Sequence, residues 1–154
     1  MRLTFIAALC CATPLMAADI TVEDAYARAS RPGAPTGAMF MTIHNASETD
    51  DRLTEARSPV AQIVELHTHI EDGGVMRMRP IEGGLAIPAS GSHELARGGD
   101  HVMLMGLTET LEEGTTVPLI LVFENAGEIS VAVTVDNTRQ QGHTGMGHGE
   151  GAGN

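Results

Sequence analysis

Residues 61–80 read AQIVELHTHIEDGGVMRMRP, and this stretch decides the fold. Ala61–His69, with Ile63, Val64 and Leu66, has strand composition; Glu71-Asp72-Gly73-Gly74 is a turn; Val75–Pro80 alternates as a second strand. Side chains two residues apart on a strand share a face. One strand therefore carries His67 and His69 together, and the next carries Met76 and Met78 together, with Arg77 and Arg79 turned the other way. Pairing across so short a turn brings His67 close to Met76 and Met78.

The same punctuation continues on both sides. Ile20–Arg28, Gly37–Asn45, Arg52–Arg57, Leu85–Pro88, Ser92–Leu95, His101–Leu107, Thr116–Glu124 and Glu128–Val135 read as strands. Glycine- and proline-rich turns such as Arg31–Gly37, Gly83-Gly84 and Gly98-Gly99-Asp100 separate them. Glu109–Glu113 fits a helical turn or a loop. Short strands at this turn-punctuated spacing, without a helical period, predict an all-β chain folded as an antiparallel β-sandwich. One domain over 19–137 is expected, followed by a flexible tail over 138–154, Gly-rich from Gln140 and carrying His143, Met146 and His148.

Composition narrows the function. The chain has 154 residues, a net charge of −11, and nine basic residues that are all arginine. An acidic chain is a poor match to nucleic acid or to an anionic membrane surface. Aromatic residues make up 3% and Trp is absent, which removes stacking platforms for bases or sugars. Residues 1–18 begin Met-Arg, continue apolar from Leu3 to Met16 and end Ala17-Ala18, the pattern of a secretory signal peptide too short to anchor in a bilayer. Cleavage near Ala17 or Ala18 would release the protein into the periplasm, with no membrane attachment afterwards. A lipoprotein reading on Cys10 or Cys11 lacks the small residue expected just before the cysteine, since Leu9 precedes Cys10. Both cysteines lie in this segment, so a chain starting at Asp19 has no thiol, no disulfide and no thiolate metal site. Eight arginines against twenty carboxylates then give a net charge of −12.

Seven Met and seven His remain after residue 18. A single Met on a strand face is ordinarily packing, and a lone His is ordinarily a surface or capped residue, the reading given to His44 and His93. The pattern changes because His and Met recur together in three neighbouring segments: His67/His69, Met76/Met78, and His101/Met103/Met105. Thioether sulfur is soft and neutral; with imidazole it suits Cu(I), and it offers Zn(II), Mg(II) or Ca(II) little. Without cysteine the chain cannot build a blue-copper electron-transfer site.

These residues resemble the periplasmic copper chaperones of the PCuAC family. The matching stretches are Glu65-Leu66-His67, Gly74–Pro80 and His101–Leu107, supported upstream by Thr36–Ala38, Thr42–Asn45 and Asp51–Leu53. In this chain His67 is followed by ten residues and Met78, and twenty-two residues then precede His101-Val102-Met103. The second spacer is one residue longer than the family pattern and falls in the turn-rich stretch Gly83–Gly99. The resemblance implies a cupredoxin-like, Greek-key β-sandwich. It also implies that His67, Met78, His101 and Met103 bind Cu(I) at an exposed end of the barrel. It further implies delivery towards the CuA subunit of cytochrome c oxidase, or exchange with a Sco-type thiol protein. Met76 and Met105 fall outside the motif, and the role of His69 stays open. Related tails that bind Cu(II) suggest the same for His143, Met146 and His148.

The expected function is a non-enzymatic, monomeric copper carrier that transfers Cu(I) by ligand exchange. Its acidic surface would attract cations and a basic partner patch. Three readings compete: copper tolerance or storage, a copper oxidase or monooxygenase, and a metal-free structural β-sandwich that binds proteins. The oxidase reading lacks the N-terminal His it needs, because the mature chain starts at Ala18 or Asp19. No Ser-His-Asp or paired-carboxylate constellation stands out.

Overall fold

A computed structural model describes residues 19–140, and among them every regular element is a strand. The ten strands are β1 (Ile20–Ala29), β2 (Thr36–Asn45), β3 (Asp51–Arg57), β4 (Ala61–Asp72), β5 (Val75–Pro80), β6 (Leu85–Ile87), β7 (Gly91–Leu95), β8 (His101–Leu107), β9 (Thr116–Phe123) and β10 (Gly127–Val135). Glu109–Glu113 forms no helix. The tail ligands His143, Met146 and His148 and the signal segment 1–18 lie outside the described residues.

Hydrogen bonding runs without a break in the order β5-β4-β8-β2-β1-β10-β9-β3-β6, with β7 added to β2. The sheet folds over on itself as a cupredoxin-like β-sandwich. The pairing departs from the expected antiparallel pattern at one place: β1 and β10 run parallel, Tyr26 opposite Thr134. The core is the enclosed face, where Met39, Ile43, Leu53, Leu104, Val102, Leu119, Leu121, Val133 and Val135 are essentially inaccessible. Alternation then places Ala38, Phe40, His101 and Met103 on the opposite, outer face of the β2–β8 pair.

Three local features shape that outer face. The first is the β4–β5 hairpin. Asp72 pairs with Val75, so the turn is only Gly73-Gly74, at φ +62° and +82°. Two positive φ values are what a type I′ hairpin turn requires, and glycine adopts them without a Cβ clash. The expected four-residue turn over Glu71–Gly74 would have paired His67 with Met78. The tighter turn shifts the register by two residues and sets His69 opposite Met78 and His67 opposite Pro80.

The second feature is the split edge of β2. Met41 pairs with Leu95 of β7, and Met39 pairs with Val102 of β8. The chain spends seven residues, Leu95 to Val102, over two residues of β2, so five residues must loop out. This is the 96–100 loop. It is held by Gly99 N–H donating to the Ala96 carbonyl at 3.0 Å and by His93 Nε2 meeting the Asp100 carboxylate at 2.9 Å.

The third feature is a bulge in β1. The pairs Glu23–Thr42 and Tyr26–Phe40 leave one extra residue on β1, and Asp24 takes φ +53° there. Tyr26 packs on Phe40 with ring centroids 5.1 Å apart, and the Arg139 guanidinium lies 4.2 Å over the Tyr26 ring while pairing with Asp24. Asn137 fastens the exit from β10: its Oδ1 accepts from Ala29 N–H, and its Nδ2 donates to the Leu111 carbonyl.

Candidate metal centre

An open cleft of about 320 Å³ lies on the outer face, walled by the 96–100 loop. His101 and Met103 of β8, Met78 of β5 and His69 of β4 line it, with Phe40, Arg28 and Arg97 among the other walls. Three of the four motif residues therefore face one space. These side chains sit on the strand face turned away from the core, beside the loop that leads into β8.

His101 is buried, at 2% exposure, and tied to the protein by its Nδ1, which donates to the Gly99 carbonyl at 3.0 Å. A carbonyl only accepts, so this bond places the proton on Nδ1 and leaves the Nε2 lone pair free. Fixing a ring through its second nitrogen is how metal-binding histidines are oriented. Burial, offset in part by the Gly99 bond, pushes the His101 pKa below its ordinary value near 6.5; the neighbouring His69 and His67 push the same way. A neutral imidazole is the form that binds a metal.

His67 is placed differently. It pairs directly with His101 across β4–β8, with ring centroids 6.0 Å apart, yet it does not line the cleft. Its Nε2 meets Glu65 Oε2 at 2.9 Å, and its Nδ1 is buried without a hydrogen-bond partner. His69 lines the cleft, lies opposite Met78, and stacks 5.2 Å from His101. The outer two methionines stand apart from the cleft. Met76 is exposed opposite Glu71, and Met105 pairs with Thr36 on one side and Ile63 on the other.

Among the described residues, no three His, Cys, Asp or Glu side chains gather as a hard-metal site. The cleft offers a mixed set of imidazole nitrogen and thioether sulfur, which fits a soft monovalent metal. Sequence reasoning left His69 unassigned and read His93 as an ordinary histidine. The His69–Met78 pairing depended on a turn length, and the role of His93 depended on a loop whose excess length only the two β2 registers reveal.

The fold and this donor set define an all-β domain of the copper-binding PCuAC type. Residues 20–135 match the LpqE-like family, and the chain belongs to that PCuAC-type family. It is 33% identical to "Putative lipoprotein Lxx21020" of Leifsonia xyli subsp. xyli over 124 residues, 80% of this chain and 74% of the relative. The apo-DR1885 solution structure from Deinococcus radiodurans is similar at 34% identity and a TM-score of 0.61, covering 89% of this chain and 91% of that one. The Cu(I) form of DR1885 matches at 35% identity and a TM-score of 0.57, over 76% and 79% of the two chains. A copper-bound PCuAC domain from PmoF2 is similar at 25% identity and a TM-score of 0.64, over 77% of this chain and 93% of that one.

Proposed function

We propose that the protein is an exported carrier of Cu(I), held in the outer-face cleft by imidazole and thioether donors. The observation that carries this reading is the convergence of Met78, His101 and Met103 on one open cleft, with His101 already oriented for binding through Nε2. A second imidazole comes from β4: His67, the fourth motif residue, is anchored at Nε2 by Glu65 and offers its buried, unpartnered Nδ1. The similar DR1885 and PmoF2 domains with bound copper support the choice of metal.

A neutral His/Met set leaves bound Cu(I) with its full positive charge and binds it less firmly than thiolates would. An incoming thiolate or imidazole can then replace the thioethers one at a time through the open mouth. Acceptors of this chemistry are the CuA subunit of cytochrome c oxidase and Sco-type thiol proteins in the periplasm. The carrier itself catalyses no reaction. The tail donors His143, Met146 and His148 capture Cu(II) and raise the copper concentration beside the cleft. The tail departs close to the cleft wall: Arg97 of that wall donates to the Arg139 carbonyl, one residue before Gln140. Mixing the Cu(I)-loaded protein with a CuA domain or a Sco-type dithiol, then separating the two, tests the reading. Copper recovered on the acceptor is expected; copper retained entirely on this protein, or never bound by it, overturns it. Removal of residues 141–154 should abolish Cu(II) binding and spare Cu(I) binding.

A further inference from the structure

We propose that the cleft mouth is a docking surface for an acidic copper acceptor, with Arg28 and Arg97 receiving carboxylates from the rim of that protein's own metal site. This rests on the copper-carrier reading above and adds to it the charge of the partner.

Strand register sets Arg28 in line with the cleft. Arg28 of β1 lies opposite Ala38, Ala38 opposite Met103, and Met103 opposite Glu65, so one row crosses four strands on the outer face. Neighbouring strands are about 4.8 Å apart, and Ala38 puts only a methyl group between Arg28 and Met103. The half-buried Arg28 side chain therefore borders the cleft, and Arg97 borders it from the 96–100 loop.

The charge balance at this mouth differs from that of the rest of the chain. Among the described residues, no carboxylate lines the cleft. Glu65 at the end of the row is engaged by His67, and Asp100 at the end of the loop is engaged by His93. Arg52, Arg57, Arg77, Arg79 and Arg139 each meet a carboxylate. Arg28 makes neither an ion pair nor a hydrogen bond among the described residues, although the chain has twenty carboxylates and only nine basic residues. Its guanidinium is thus partly desolvated without a counter-charge, and a carboxylate from outside can supply one through two parallel hydrogen bonds. Imidazole and thioether donors are neutral, so bound Cu(I) makes the mouth more positive still. An acidic partner is then held more firmly by the loaded protein than by the empty one.

Apolar surface adjoins these charges. Ile63, Met76 and Met78 are exposed, and alternation from Glu65 and His69 puts all three on the outer face. Apolar surface rimmed by charge is the anatomy of a protein-docking patch.

The test follows Cu(I) transfer from the full mature chain to two synthetic dithiol peptides. They are identical except that one has glutamates and the other glutamines flanking the cysteines. Cu(I) affinity is first measured for each protein variant, so that rates are compared at equal loading. Overall acidity alone would make the glutamate peptide the slower acceptor. The docking surface makes it the faster one, by about fivefold at low salt, with the advantage gone near 1 M salt. Arg28→Gln should cut the advantage at least about twofold, and Arg28→Gln with Arg97→Gln should erase it. Arg57→Gln, which removes the same charge outside the cleft, should keep it. Arg28→Glu should reverse the preference in favour of a lysine-flanked peptide. A glutamate peptide no faster than the glutamine peptide overturns the proposal, as does an advantage that survives both arginine substitutions; transfer to either peptide then leaves the carrier reading intact. Acetate bound at Arg28 without any preference between the peptides would make the mouth a small-anion site. A concentration-dependent dimer lost in Arg28→Glu would assign it to a second copy of this chain, and either result also overturns the proposal. If neither peptide receives copper, the carrier reading itself fails, and the docking surface with it.

Discussion

Met103→Leu separates a ligand from a packing residue more cleanly than any histidine substitution in the cleft. Met103 is half-buried at the centre of β8, with Ala38 of β2 on one side and Glu65 of β4 on the other. Leucine nearly conserves its volume and apolar character, and such swaps cost less than about 1.5 kcal/mol. For a domain of this size that is a fall in Tm of under about 8 °C. The copper effect runs on a separate scale. Loss of a group that merely orients a ligand costs about 10- to 100-fold in metal affinity, so loss of a sulfur donor should cost at least tenfold, about 1.4 kcal/mol. An anaerobic chelator competition should therefore show Cu(I) affinity down by at least that factor, beside a nearly unchanged melt of the copper-free protein. The reasoning is refuted if affinity holds within twofold. It is equally refuted if the melt collapses and affinity falls only in proportion.

Other outcomes follow from the same structure. Because the His101 pKa is lowered in the fold, the unfolded chain takes up that proton first as pH falls. Urea stability of the copper-free protein should be full above the ordinary value near 6.5 and decline below it, until pH passes the lowered native value. His101→Gln should flatten this slope between pH 7.5 and 5, and an unchanged slope would contradict the assignment. Gly84→Ala should destabilise more than Gly73→Ala in a denaturant titration. Both glycines have positive φ, but a Cβ on Gly84 would sit 2.4 Å from the Leu53 carbonyl oxygen, whereas one on Gly73 meets nothing within 4 Å. The difference should exceed about 1 kcal/mol, and equal losses would contradict the β3–β6 contact. The intact mass of the exported protein should correspond to a start at Ala18 or Asp19. A lipid-bearing Cys10 or Cys11 would instead place it with the relative that is named a lipoprotein.

Much of the fold was legible because strands and turns carry strong local chemistry. Val75–Pro80 and His101–Leu107 agree with the structure residue for residue. Alternation also places Met103 opposite Val102 and Leu104, which the core confirms by burying the latter two completely. What stayed hidden was decided by partners distant in sequence. The parallel β1–β10 pairing joins the two ends of the domain and leaves no local mark. The choice between Gly73-Gly74 and a wider turn moves Met78 from His67 to His69, and flanking Glu71 and Asp72 suit either. Gly99 enters the site through a backbone oxygen, for which no side-chain pattern exists. Overall acidity also obscured the local charge, since two arginines, Arg28 and Arg97, line the cleft of a chain with net charge −11.

The central claim is that Cu(I) is bound by nitrogen and sulfur together in the outer-face cleft. X-ray absorption at the copper edge, on the full mature chain loaded with one equivalent of Cu(I), tests it directly. The predicted spectrum contains both imidazole and sulfur scatterers, and Met103→Leu lowers the sulfur contribution. A copper environment of nitrogen and oxygen alone, unchanged by Met103→Leu, would contradict it.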